Sequence, residues 1–174
     1  FGPVWEKDLA RYLCHVIVGQ QLSSSASRTI WGRIEERVEK KHGRVPHCLD
    51  AGRLRGLRAC GLSRAKARSM LEIGKAARSG KLDVKKLKRL SHEKRMEALQ
   101  EIWGVGPWTA DVVSMFYFQE EDIWPGGDIS ARNALFRFLP RRPGEKRLTQ
   151  IVEKFAPHRS IFALYLWRSS GGEE

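Results

Sequence analysis

The sequence predicts an all-α protein, and three observations carry that prediction. Apolar residues recur three and four apart along most of the chain, no segment alternates as a half-buried strand would, and residues suited to helix starts stand where the periodic stretches begin. The first apolar stripe is Leu9, Tyr12, Leu13, Val16 and Ile17, and the second is Ile30, Ile34 and Val38. Further helices are predicted over Ser63 to about Ser79, Val84 to Leu90, Glu93 to Ile102, Pro107 to Phe118, Ile129 to Phe138, Lys146 to Phe155 and Arg159 to Arg168. Ser23, Ser63, Ser91 and Asp128 each offer a side-chain oxygen to the free amides of a helix start, and Pro107 suits a first helical position because it has no amide to satisfy. Gly and Pro mark loops at Gly43 to Pro46, Trp124 to Gly127 and Pro140 to Gly144, while Gly171-Gly172 ends the last helix. The expected architecture is a single domain over residues 1–174, with about eight to ten helices in two lobes and a cleft between them.

A chain of 174 residues can bury a core without staples. Cys14, Cys48 and Cys60 cannot all pair within the chain, and none stands in a metal-ligand spacing, so a reducing compartment and no zinc or iron–sulfur site are expected. The longest apolar run, near Ile161 to Trp167, is too short for a bilayer, and the first residues lack the pattern of a signal peptide. The expectation is an intracellular, monomeric protein, in the cytoplasm and nucleoid of a prokaryote or the nucleus of a eukaryote. Net charge is +12 and is spread over most of the chain, which favours a polyanionic partner. Charge alone does not choose among DNA, RNA, an acidic protein and a membrane surface.

The most informative stretch is Leu99-Gln-Glu-Ile-Trp-Gly-Val-Gly-Pro-Trp-Thr-Ala-Asp-Val-Val113. Two helices meet there across the short turn Gly104-Val105-Gly106, whose glycines let backbone N–H groups and the next helix N-terminus approach a phosphate. Taken alone, the glycines are equally those of a tight αα-hairpin with a C-cap. Asp128 follows Pro125-Gly126-Gly127 and precedes a helix, where the dipole favours a negative charge. Such a carboxylate suits cleavage of an N-glycosidic bond, in which the sugar becomes cationic as the base departs, but its spacing alone equally describes a helix cap.

Four segments together are more specific. Ile102-Trp-Gly-Val-Gly-Pro-Trp-Thr-Ala110 is followed about twenty residues later by Asp122-Ile-Trp-Pro-Gly-Gly-Asp128, and is preceded by Val18-Gly-Gln-Gln-Leu-Ser23 with Ala26 and by Gly61-Leu-Ser-Arg-Ala-Lys66. In that order they resemble the signature of the helix-hairpin-helix superfamily of base-excision DNA glycosylases over roughly residues 5 to 140, with the 3-methyladenine DNA glycosylase II branch the nearest in pattern.

That resemblance implies a monofunctional DNA glycosylase that flips an alkylated purine, of the 3-methyladenine or 7-methylguanine type, out of duplex DNA and hydrolyses its bond to the sugar. Asp128 is implied to be the catalytic carboxylate. Trp108 stands where members that also cleave the backbone carry a lysine, and an indole nitrogen cannot form their imine. Trp108 is the first candidate to stack on the base, with Trp5, Tyr12, Trp31 and Trp124 behind it; these four are otherwise core aromatics, and Trp103 and Phe116 are expected in the core. Gln21, or else Leu22, is implied as the wedge that fills the gap left by the base, within a DNA-binding loop Gln20-Gln21-Leu22-Ser23. Gly104, Val105, Gly106 and Thr109 are assigned to the phosphate strand, and Lys66, Arg132, Arg64 and Arg68 to phosphates. Asp111 is expected to be solvated or lobe-bridging, Asp122 to lie in a solvated turn, and His15 and His158 to be structural or solvated. No cofactor is required, and Na+ or K+ on hairpin carbonyls is implied as an accessory. Alternatives are a noncatalytic helix-hairpin-helix module, a glycosylase for deaminated or etheno-modified bases, and an RNA or protein scaffold.

Overall fold

The computed structural model describes residues 6–170, and every regular element among them is helical. The chain divides after Val113 into two compact units. The first holds α1 (Leu9–Gly19), α2 (Ser24–Ile34), a wider π turn at Glu35–Glu39 and the short α3 (Lys40–His42). A 3-10 turn at Ala51–Arg53 leads to α4 (Leu54–Ala59), α5 (Arg64–Arg78), α6 (Val84–Lys88), α7 (His92–Gln100) and α8 (Pro107–Phe116), whose last turn lies beyond the division. The second unit holds α9 (Ile129–Arg137), α10 (Glu145–Glu153) and α11 (Arg159–Ser169).

Local signals account for the helix starts. Ser23 accepts from Ala26 N–H, Ser63 from Lys66 N–H, Ser91 from Lys94 N–H and Asp128 from Ala131 N–H. Asp8 caps α1 in the same way, accepting from Ala10 and Arg11. The helical turns over 51–59 have no counterpart in the sequence pattern, because the leucines there are too few and too broken by Gly52 and Gly56 to show a period.

In the first unit α1 packs on α2 and α5, and α4 packs on α5, burying Leu13, Ile17, Ile34, Leu57, Met70 and Ile73. At the edge of this core Arg11 is buried with three carboxylates, at 2.8 Å from Glu6 and 2.9 Å from both Glu35 and Glu39. A charge removed from water is tolerable when its donors are satisfied in this way. In the second unit Ala134, Leu135, Leu148, Val152 and Leu166 form one apolar cluster and Met115, Ile123 and Ala163 another.

Among the described residues no helix is long and apolar enough to cross a membrane. Cys14 and Cys60 are buried and Cys48 is half-buried, all as free thiols.

Candidate active site

The turn from α7 to α8 is seated directly on α5. Gly104 has φ +90°, and a Cβ there would lie 2.0 Å from Ser69 Oγ and 2.7 Å from Ser69 Cβ, so only glycine fits. Ser69 cannot easily move aside, since its buried hydroxyl donates to Ala65 O at 3.1 Å within α5. Gly106 differs: nothing lies within 4 Å of where its Cβ would be. Its missing side chain serves no packing inside the protein and leaves the turn open outward. Ala110 N–H bonds Gly106 O at 3.0 Å, whereas the N–H groups of Gly106 and Thr109 meet no acceptor among the described residues. Unsatisfied amides at the start of a ten-residue helix form a concavity for an anion.

Two residues assigned to this grip turn inward instead. Val105 is buried and its N–H donates to Ile102 O at 2.9 Å, closing the turn. The Thr109 hydroxyl is also buried, accepting from Gln20 Nε2 at 2.9 Å. Both serve the hairpin's shape, because a polar group buried beside an apolar core needs an internal partner. Thr109 keeps only its amide for a ligand.

The same bond ties the Gln20 side chain to α8, so Gln20 holds its loop and does not point outward. Lys66 tightens that loop further: Nζ donates to Val18 O at 2.9 Å and to Gln20 O at 2.6 Å. It satisfies carbonyls left open at the C-terminal end of α1, and burial pulls its pKa below the ordinary lysine value. Lys66 is therefore a clamp on the loop, where a phosphate contact was expected. Beyond the clamp, Gln21 is exposed with φ 55°, a left-handed conformation unusual for a residue with a Cβ, and Leu22 is exposed beside it. Lys66→Met is expected to lower stability by about 1–2 kcal/mol, the cost of leaving those carbonyls unmet. Denaturant unfolding of the variant measures that loss.

In the second unit, Asp128 begins α9 at 8% exposure. Its Oδ1 accepts from Ala131 N–H at 2.7 Å and from Trp167 Nε1–H at 3.1 Å. The loop before it is pinned at several points. Asp122 accepts from Arg159 Nε at 2.7 Å and from Arg159 Nη2 at 2.9 Å, a fork that holds its carboxyl below the usual carboxylate range. Ser160 Oγ accepts from Ile123 N–H at 2.9 Å and donates to Glu120 O at 2.7 Å. Trp124 packs against both apolar clusters, and a bond of 2.8 Å from Asp128 N–H to Pro125 O closes the last turn. Asp122 thus lies in a bend that keeps part of its carboxylate in solvent, as expected, and in addition braces the foot of α11 through Arg159. The result is a nearly buried carboxylate whose orientation is set by a backbone amide and an indole.

The comparisons with known proteins bear on what such a carboxylate is for. No protein-family model matches the chain. DNA-3-methyladenine glycosylase 1 of Schizosaccharomyces pombe is 31% identical over 169 residues, which are 95% of this chain and 74% of that protein. The chain belongs to the DNA-3-methyladenine glycosylases. Solved structures agree: the 3-methyladenine DNA glycosylase of S. pombe in complex with abasic DNA superimposes with a TM-score of 0.79 at 29% identity, over 98% of this chain and 87% of that one. A DNA-3-methyladenine glycosidase from Bacillus halodurans does so with a TM-score of 0.78 at 29% identity, over 95% of this chain and 77% of that one.

Within this member of the DNA-3-methyladenine glycosylases the aromatic assignments divide. Trp5 lies outside the described residues. Trp31 stacks on His15 at 3.4 Å, lies 4.9 Å from Arg11 and donates its Nε1–H to Glu35 at 2.9 Å, so it is a core aromatic and not a pocket wall. Burial lowers the pKa of His15 in that stack to about 4. Trp124 is a packing residue too, 6.1 Å from Phe162. Tyr12 is buried in α1, its phenol pushed up to about 12 by desolvation. Trp108 is half-buried in the first turn of α8.

Three further readings are corrected. Trp103, expected in the core, is 42% exposed, because α7 ends at Gln100 and Trp103 stands in the turn beyond it. Asp111, expected to be solvated or lobe-bridging, is 8% exposed, which removes the solvated alternative, and desolvation raises its pKa to about 7. Arg132 is engaged by Glu145 and by Gly126 O at 3.3 Å, which commits much of its fork to the protein. Phe116 packs half-buried against the smaller apolar cluster and His158 lies 3.4 Å from Glu121. The residue that sequence reasoning missed is Trp167, which in one dimension is merely part of an apolar run in the last helix.

Proposed function

We propose that the chain is a monofunctional DNA glycosylase that excises alkylated purines of the 3-methyladenine and 7-methylguanine type, leaving an abasic site. The observation that carries this reading is the Asp128 carboxylate, nearly buried, with Oδ1 aimed by Ala131 N–H and Trp167 Nε1–H. As the bond from C1′ to the base nitrogen breaks, its electron pair leaves with the base and the sugar becomes an oxocarbenium ion. A pre-aimed carboxylate stabilises that cation and orients the water whose oxygen bonds to C1′, with the water's proton passing to the carboxylate or to solvent. An alkylated purine nucleoside is already cationic and its base departs neutral, so no strong general acid is needed. The same charge favours an aromatic face, and Trp108, half-buried in the first turn of α8, is the candidate to provide it.

The Gly106 and Thr109 amides would take a backbone phosphate, and Gln21, exposed on a left-handed backbone with Leu22 next to it, is the wedge that fills the vacated stack. The carbonyls of Gly104 and Val105 accept no backbone N–H among the described residues, which suits Na+ or K+; such an ion would add positive charge next to the phosphate. With an indole at position 108 no imine forms, so the strand is not cut. The reading also places the protein on double-stranded DNA, as a monomer, in the compartment that holds the chromosome.

The test is to incubate the protein with duplex DNA treated with a methylating agent and to identify the released bases by mass spectrometry. Free 3-methyladenine and 7-methylguanine, with an intact strand until alkali is added, are expected. Release of only deaminated or etheno bases would move the substrate class, and no release at all would leave a DNA-binding module.

A further inference from the structure

Of the cations assigned to phosphate by sequence, two are committed to the protein: Lys66 to two carbonyls, Arg132 to Glu145 and Gly126. Arg68 is not. Its guanidinium lies 4.1 Å from the Trp103 ring centroid, and no carboxylate or carbonyl among the described residues accepts from it. Lys75 and Lys81, which line a 270 Å³ hollow together with the same indole, are by contrast paired with Glu72 and Glu101. A guanidinium lying on an aromatic face keeps its N–H edge outward, in the plane that matches a phosphate.

Its place relative to the hairpin is set by the seating of the turn on α5. Arg68 precedes Ser69, the residue on which Gly104 is seated, and Trp103 precedes Gly104. The cation and the exposed indole therefore stand beside the point where the turn is seated on α5, next in sequence to the turn whose Gly106 and Thr109 amides are open.

We infer that Arg68, held on Trp103, is a second backbone-phosphate site on the strand gripped by the hairpin, with Trp103 as its positioning residue. The inference rests on the reading of the chain as a DNA-binding glycosylase and adds a contact to it. A phosphodiester of duplex DNA is the ligand, and the site carries no base specificity.

The test measures binding of the whole chain to a short duplex bearing a tetrahydrofuran abasic mimic, over a series of KCl concentrations, with thermal melting of each variant alongside. Arg68→Ala is expected to reduce the slope of log K against log salt by about 0.9 and to weaken binding about 5- to 10-fold near 0.1 M salt. Trp103→Ala keeps the charge, so the slope should hold while affinity falls about 2- to 5-fold, and Trp103→Phe should restore it. Gly106→Ala reports separately on the hairpin grip. If the wild type and Gly106→Ala differ in affinity but Arg68→Ala matches the wild type in slope and affinity, the Arg68 site is overturned and the glycosylase reading stands. If Arg68→Ala lowers Tm with an unchanged slope, the stack is structural and the site is again overturned. If the wild type does not bind the duplex, the underlying reading falls and the site with it.

Discussion

Asp128→Asn is expected to reduce the rate of base release from methylated duplex by at least about 10²- to 10³-fold while leaving affinity for an abasic duplex within a few-fold of the wild type. Asparagine is nearly isosteric and caps helices as well as aspartate does, so Ala131 N–H and Trp167 Nε1–H keep an oxygen to bond and α9 keeps its start. Stability should change by less than about 1 kcal/mol. What is lost is the negative charge beside the developing cation. Single-turnover release of 3-methyladenine, followed by chromatography, measures the first quantity, and anisotropy with an abasic duplex the second. A variant that released base at the wild-type rate would remove Asp128 from the chemistry. One that unfolded would show that the negative charge itself is needed to hold the start of α9.

The largest stability effect is expected at Gly104. Alanine there must adopt φ +90° and place a methyl group 2.0 Å from Ser69 Oγ, so either the turn lifts off α5 or Ser69 breaks its bond to Ala65. Left-handed backbone costs about 1 kcal/mol or more, and overpacking about 1–3 kcal/mol, together about 2–4 kcal/mol. For a chain of this size that is a fall in Tm of about 5–15 °C. Denaturant unfolding of Gly104→Ala measures the loss directly. Adding Ser69→Gly removes the group that is struck, so the double variant should recover part of the loss despite a second glycine's cost within a helix. If Gly104→Ala unfolded like the wild type, the turn would not be seated as described. Gly106→Ala, facing open space, should unfold like the wild type, which separates a glycine kept for packing from one kept for a ligand.

Much of this architecture was legible because its signals are local. Ser23, Ser63, Ser91 and Asp128 cap helices through bonds to an amide three residues on, a distance over which a short polar side chain announces itself in the sequence. Periodicity marked α1 and α5, because each buries a stripe at helical spacing. The order of the hairpin, the glycine loop and Asp128 pointed to the family through residue types at fixed intervals.

The failures share a cause. Lys66 looks like a phosphate contact until the open carbonyls at the end of α1 are seen to lie within reach of its ammonium, nearly fifty residues away in sequence. Trp31 and Trp124 are indistinguishable from pocket walls until Glu35 and the two apolar clusters surround them. Asp111 carries no local mark of burial, and Trp103 none of exposure.

By itself, then, the sequence determined where helices begin, which turn must be glycine, and which carboxylate stands at a helix start after a glycine loop. Tertiary structure alone decided which cations remain open to a ligand, which aromatic ring aims Asp128, and which glycine the fold itself requires. A cap is an energy between neighbours along the chain, whereas the direction of Lys66, the bond from Trp167 and the seat of Gly104 on Ser69 are set by packing between helices remote in sequence.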